Sequence, residues 1–143
     1  MANAVPRKWR GSRLPSSVLI LAQSSSETAD LFHACDERLD LWTIRVPSVG
    51  AGVAAMRVVF VSLIIVAPEI PADEVSALLS EIWQLRSEAP VLLLRHETAE
   101  IHPGWQSQHM AVIRCPLAPG LLSRAVDLAL QPACKKHDQT RLN

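Results

Sequence analysis

The chain has 143 residues, of which 49% are hydrophobic and 20% charged, a composition typical of one globular domain with a real core. This composition excludes a disordered protein, and the balance of 14 basic and 14 acidic residues excludes a general attraction to nucleic acid or acidic membranes. No apolar run approaches the roughly 20 residues that cross a bilayer.

Residues 1–16 contain four cations, two prolines and no acidic residue, and we predict that they form a flexible basic arm. An alternative is that Trp9 and its basic neighbours contact a nucleic acid or a partner. The apolar run after the arm has five residues, shorter than the roughly 7–15 of a signal-peptide core. Because the three cysteines include no C-x-x-C pair, we expect reduced thiols in a cytoplasmic protein.

Four apolar runs predict strands of a parallel sheet, at residues 18–22, 61–67, 90–94 and 110–113. The run at 61–67 is rich in β-branched residues and ends at Pro68, as expected of a central strand buried on both faces. The segments between the runs have helical spacing. The pattern therefore predicts an α/β fold with three layers, in which helices cover both faces of a doubly wound, five-stranded parallel sheet.

The first half of the chain supplies two of the helices and one further strand. Ser24 and Glu27 have the spacing of a capping box, so a first helix should begin there and run to about Arg38. Strand two should span residues 39–46 near the sheet edge, with Leu39, Leu41 and Ile44 turned inwards. Glycines and small residues predict a weak second helix at 48–59.

The strongest helix should follow Pro71, because acidic residues begin it and an apolar stripe runs along it. Trp83 lies at the margin of that stripe, where we expect partly buried packing. Pro103 and Gly104 would interrupt a fourth helix, which we predict to be short or irregular. A final helix should begin near Pro119 and bury Leu121 among its core residues, and a polar tail occupies 132–143.

Taken together, five units of this order and length resemble the receiver domain of bacterial response regulators over roughly residues 17–131. The matching motifs are Val-Leu-Ile-Leu at strand one, Leu-Ile-Ile-Val-Ala-Pro-Glu-Ile-Pro at strand three, Ala-Pro-Val-Leu-Leu-Leu at strand four and Arg-Cys-Pro-Leu after strand five. The resemblance implies a sheet in the order 2-1-3-4-5.

A working receiver needs an acidic pair after strand one for magnesium, a phosphorylatable aspartate after strand three, a hydroxyl residue after strand four and a lysine after strand five. The matching positions hold Ala22 and Gln23, Ala67, Arg95, and Cys115. Alanine has no oxygen to attack phosphorus, and magnesium lacks its anionic ligands. The resemblance therefore implies a receiver that has lost phosphotransfer.

Two nearby residues leave alternatives open. Glu69 could substitute as phosphoryl acceptor, although a loop or helix-start charge explains it better. Arg95 could point into the emptied acidic pocket and bind an anion or a partner's carboxylate; otherwise it forms a salt bridge with Glu69 or lies in solvent.

Neither metal nor cofactor is expected. His96, His102, His109 and Cys115, with neighbouring glutamates, form a loose cluster whose spacing is wider than that of zinc sites, so surface histidines explain it better. The serine-rich turn at 23–26 could cradle a phosphate, as in flavodoxin-like proteins that share this architecture, but the chain has few aromatic residues to stack on a flavin.

We therefore expect a pseudo-receiver that is not an enzyme and that serves as a protein–protein interaction or regulatory module in bacterial signalling or gene regulation. The resemblance implies an interface on the fourth helix, fifth strand and fifth helix, with the candidate residues Trp105, His109, Arg114, Leu121 and Arg124. An exposed Trp105 would anchor this interface, unless it packs beneath the broken helix. A homodimer is expected, with no membrane contact and no direct contact with nucleic acid.

Two other functions stay open. One is a flavodoxin-like protein that binds a small ligand or nucleotide. The other is a nucleic-acid-associated regulator, acting in antitermination or transcription through the basic arm or through an output domain that this chain lacks.

Overall fold

A computed structural model of the chain describes residues 15–23, 32–33, 35–105, 109–118 and 120–131. Its strands are β1 (Ser16–Leu21), β2 (Leu41–Val46), β3 (Leu63–Val66), β4 (Val91–His96) and β5 (Met110–Cys115). The helices whose bounds it describes are α1 (Val49–Val58), α2 (Ala72–Gln84) and α3 (Leu121–Ala129), with a 3-10 turn at Pro103–Trp105. Residues 32–33 and 35–36, which precede β2, are also helical.

The five strands form one parallel sheet in the order β2-β1-β3-β4-β5, which confirms the predicted fold. All four residues of β3 are fully buried, as its β-branched sequence predicted. The direction of strand addition reverses after β2. Because crossovers between parallel strands are right-handed, this reversal places helices on both faces of the sheet.

The helices begin where local chemistry favours them. The Ser48 hydroxyl accepts a hydrogen bond from the Ala51 N–H at the start of α1, over 3.2 Å. Asp73 and Glu74 place negative charge in the first turn of α2, whose buried residues belong to the predicted stripe. Gly120 precedes α3 with a φ of 82°, a conformation that favours glycine. Among the described residues, no helix is long and apolar enough to cross a membrane.

Three details differ from the sequence-based expectations or fall outside the structure. Leu39 is 53% exposed, since β2 begins two residues later at Leu41, which is buried opposite Ser16. Leu121 is also exposed, and α3 buries Leu122 and Val126 instead. The capping box, the basic arm up to residue 14 and the tail from residue 132 lie outside the described residues.

A groove lies at the amino-terminal edge of the sheet. Its volume is about 600 Å³, and Ser16, Phe60 and Gln131 are among the residues that line it. Ser16 begins β1 and Gln131 follows α3, so both ends of the described domain lie at this edge.

Helix α2 ends in a Schellman motif that places a side chain in an unfavourable conformation. The Ser87 N–H donates to the Ile82 carbonyl and the Arg86 N–H donates to the Trp83 carbonyl, the two bonds that define this motif. Arg86 occupies the left-handed position with a φ of 55°. Glycine is the usual residue there, because it avoids the contact between Cβ and the backbone.

Replacing Arg86 with glycine should therefore stabilise the protein by roughly 0.5–1 kcal/mol, measured by urea unfolding at fixed protein concentration. Arg86→Ala is the control, because it removes the charge without relieving the left-handed strain, and it should give no gain. Equal effects of both variants would contradict the explanation from backbone strain.

Arg38 joins the first helical segment, described at residues 32–33 and 35–36, to helix α3. Its Nε donates to Asp40 Oδ1 over 2.9 Å, and its terminal nitrogens donate to Ser123 Oγ over 3.1 Å and to Asp127 Oδ1 over 2.7 Å. The hydrogen bond to Asp40 raises the pKa of Arg38 and lowers that of the Asp40 carboxyl group. The arginine thus links parts of the chain more than 80 residues apart.

Arg38→Gln should lower the free energy of unfolding by about 1 kcal/mol at neutral pH, because it removes the fork-shaped donor. Asp40 has a lower pKa folded than unfolded, so its contribution is present above its ordinary pKa and is lost as the pH falls through the lowered value. The difference in the free energy of unfolding between wild type and Arg38→Gln should therefore become smaller at acidic pH. Arg57→Gln, on the exposed side of α1, is the control and should show no such narrowing.

Candidate functional site

The positions after β1 and β3 meet at the carboxyl-terminal edge of the sheet. The Ala67 N–H donates to the Leu21 carbonyl over 2.9 Å, and the Ala22 N–H donates to the Val46 carbonyl over 3.0 Å. Both alanines are buried. The backbone of both alanines thus continues the hydrogen bonding of the sheet, but neither side chain carries an oxygen or a charge.

The ends of β4 and β5 complete the same edge. Arg95 is paired with Arg114 across the two strands, and His96 is paired with Cys115. The Glu97 N–H donates to the Cys115 carbonyl over 3.0 Å. The positions that the receiver resemblance identified thus lie at the ends of neighbouring parallel strands, where α/β folds place their binding sites.

Arg95 is held within the protein, with 8% of its surface exposed. One terminal nitrogen donates to the Ile70 carbonyl over 2.7 Å, and the guanidinium lies 5.4 Å from the centre of the Trp105 ring. Its buried Nε has no hydrogen-bond partner. Burial lowers the pKa of Arg95, and the positive charge of Arg114 lowers it further. None of the ion pairs between described side chains includes Arg95.

The environment of Arg95 contradicts both simple alternatives, a salt bridge to Glu69 and a position in solvent. The side chain connects the end of β4 to the loop that follows β3, through Ile70, and to the 3-10 turn, through Trp105. Its charge is compensated by a carbonyl dipole and an aromatic face.

Glu69 has a structural role at this edge. Its Oε2 accepts a hydrogen bond of 2.7 Å from the Gln23 N–H, which joins the loop after β3 to the end of β1. A carboxylate that accepts a backbone N–H can fix a loop without any reaction. This contact agrees with the interpretation of Glu69 as a loop charge.

The residues at this edge do not fit a magnesium ion. Magnesium is held by carboxylate and phosphate oxygens, with several waters retained. Ala22, Gln23, Ala67, Arg95 and Cys115, which we call the vacated positions, supply no carboxylate. The nearby carboxylate of Glu69 is hydrogen-bonded to Gln23, and Arg95 adds a positive charge. Within the part of the chain that the structure describes, no group of three His, Cys, Asp or Glu residues could hold a metal.

The five candidate interface residues do not share one surface. Trp105 is only 3% exposed, and its indole N–H donates to Ser76 Oγ over 3.3 Å, so the prediction of an exposed anchor is wrong and its alternative, packing inside the domain, is correct. Arg114 is exposed, but it already donates to the His96 carbonyl over 2.8 Å. Both residues stabilise the segment between β4 and β5.

The remaining three candidates are exposed. Leu121 and Arg124 lie three residues apart at the start of α3, where residues of this spacing are neighbours. His109 immediately precedes β5, so it lies roughly 20 Å from Cys115 at the carboxyl-terminal end of that strand. The serine-rich turn after residue 23 lies outside the described residues, so the phosphate-binding and basic-arm interpretations stay predictions.

Sequence reasoning missed the burial of Arg95 and its contact with Trp105, and it gave the burial of Trp105 only as an alternative. One signal for this contact was present in the sequence, because an arginine at a strand end and a tryptophan in the next connection can stack on each other. Spacing along the chain did not indicate that they would meet.

Arg95→Ala should lower the free energy of unfolding by about 2 kcal/mol, because it removes a hydrogen bond from a charged group and the packing of the arginine stem. It should also speed amide exchange at Glu69 and Ile70, the residues with an amide hydrogen between Pro68 and Pro71, measured by mass spectrometry. Arg114→Ala is the control, since it frees the loop at 96–99 and should leave exchange at Glu69 and Ile70 unchanged. Equal protection of these two amides in the Arg95 variant and wild type would contradict this role.

The sequence matches no protein-family model and no curated protein. Solved structures, however, share its fold. The signal receiver domain of a Luxo repressor protein from Vibrio parahaemolyticus is 18% identical with a TM-score of 0.65, over 90% of this chain and 97% of that one. The receiver domain of a sensor histidine kinase from Pseudomonas aeruginosa, with magnesium in its active-site cleft, is 12% identical with a TM-score of 0.66, over 81% and 98%.

A third similar structure is the pseudo-receiver domain of the CikA protein, which is 17% identical with a TM-score of 0.58, over 82% of this chain and 98% of that one. The parallel sheet and its strand order agree with these similarities, which cover between 81% and 90% of this chain. The chain therefore has the fold of response-regulator receiver domains, with a different set of side chains at the edge where the magnesium-binding cleft is expected.

Proposed function

We propose that the protein is an atypical receiver that accepts no phosphoryl group and acts as a protein–protein interaction or regulatory module. The setting would be bacterial signalling or gene regulation in the cytoplasm. The observation that carries the proposal is Ala67, a buried methyl group at the end of the central strand. Phosphoryl transfer to a receiver needs an oxygen nucleophile at this point, and alanine has none.

The surroundings of Ala67 support the loss of chemistry. Phosphoryl transfer depends on positioned metal ions and charges that stabilise the transferred group. The carboxyl-terminal edge of the sheet with its five vacated positions, which we call the vacated edge, offers no carboxylate pair. Cys115 occupies the position of a cation there. Arg95 is committed to Ile70 and Trp105. We infer that no catalytic step takes place here.

The retained scaffold supports a role in binding. Catalysis requires particular side chains, whereas binding requires only a surface of suitable shape and chemistry. Leu121 and Arg124 form an exposed pair of one apolar and one cationic residue on α3. Such a pair can contact an apolar partner surface that carries a carboxylate.

The test is incubation with a small-molecule phosphodonor and a magnesium salt, followed by intact-mass measurement. A phosphorylatable receiver domain, treated in parallel, shows that the donor is active. We expect no mass gain in this protein, because Ala67 cannot be phosphorylated. A gain of roughly 80 Da, the mass of one phosphoryl group, would overturn the proposal. Loss of that gain in Glu69→Gln would then identify the acceptor.

A further inference from the structure

The described residues of the connection from β4 to β5 place no covering α-helix over part of the domain. Crossovers between parallel strands usually carry an α-helix that packs on the sheet. Within the described part of this connection, residues 97–105 and 109, the helical structure consists of the 3-10 turn at Pro103–Trp105. The flank of α2 and the first residues of β4 and β5 therefore border a groove.

This groove, which we call the α2 groove, has a volume of about 790 Å³. Its apolar lining comes from α2, the two strands, the segment before β4 and the 3-10 turn. It includes Leu79, Ile82, Trp83, Ala89, Val91, Trp105 and Met110. The size lies within the range of pockets that bind large groups. It is thus a site where an apolar side chain can be buried on a surface that the described residues leave open.

Trp83 lines the groove but is 84% exposed, contrary to the partly buried packing predicted from its place on the helix. Trp105 forms a buried wall of the same groove, held by Ser76. One surface therefore presents both an exposed aromatic side chain and a cavity with apolar walls. Aromatic side chains of this kind are common anchors of protein interfaces.

The charges beside the groove favour a second copy of the chain as its occupant. Arg86 and Glu88 also line the groove, two residues apart and opposite in sign. A two-fold axis through this surface can bring Arg86 of one copy to Glu88 of the other, twice. The equal number of acidic and basic residues in the whole chain adds no long-range repulsion between copies.

We propose that the protein forms a two-fold symmetric dimer in which Trp83 of each copy inserts into the α2 groove of the other. His109 lies at this interface, since it also lines the groove, whereas Leu121 and Arg124 stay free for other partners. The dimer does not depend on whether the vacated edge is inert. It therefore stands or fails separately from the proposed function.

Sedimentation velocity across the micromolar range tests the proposal. Wild type should sediment as a species of twice the 15.7 kDa chain mass. Trp83→Ala should weaken the dimer at least about tenfold, as expected for a central aromatic anchor. Trp42→Ala is the matched control, since Trp42 is 56% exposed on β2 at the other edge of the sheet, and it should leave the dimer unchanged.

A charge exchange gives a second, independent measurement. Arg86→Glu alone should weaken the dimer, and Arg86→Glu combined with Glu88→Arg should restore it, because the pairing across the axis is re-established. A monomeric wild type, whether or not another protein occupies the groove, would overturn the proposal. A dimer that survives Trp83→Ala, or one that the charge exchange does not restore, would overturn it as well.

Discussion

The complete burial of β3 is the constraint on which the rest of the domain depends. A strand hydrogen-bonded on both sides and buried on both faces must be apolar throughout, and it requires helices above and below the sheet. Its neighbours β1 and β4 are nearly as buried. Since these requirements concern the strands and not the loops beyond them, the residues at the carboxyl-terminal edge can change their chemistry while the scaffold persists.

The vacated edge shows what such a change produces. Residues at this edge fix the loops of the domain: Glu69 holds the end of β1, and Arg95 holds the loop after β3 and the 3-10 turn. Both contacts involve one charged side chain and a backbone or aromatic partner, so no charged pair has to be desolvated together. In a receiver this edge would bind ions, whereas here its side chains hold the neighbouring loops in place.

The sequence was sufficient to predict the sheet, because buried parallel strands are apolar runs bounded by turns and prolines. It was also sufficient to predict the irregular fourth helix, since Pro103 and Gly104 interrupt helical geometry. The five positions at the strand ends followed from their order along the chain. Local periodicity carries this kind of information reliably.

The exposure of the tryptophans could not be predicted in the same way. Trp83, which lies beside the apolar stripe, is exposed, and Trp105, which follows Pro103, is buried. Helical spacing gives the direction of a side chain but not which other part of the chain packs over it. For Trp83 this depends on the connection between β4 and β5, which lies later in the chain. Arg95 is a similar case, since its acceptor lies 25 residues earlier in the chain.

The placement of Ser16 and Gln131 beside the same groove has a practical consequence for handling the protein. A tag joined through either end of the domain starts from the amino-terminal edge of the sheet, away from the vacated edge. Immobilisation on a biosensor through such a tag would orient Ala67, Arg95 and their loops towards the flowing analyte. Both attachment choices would thus present the same surface to a partner in solution.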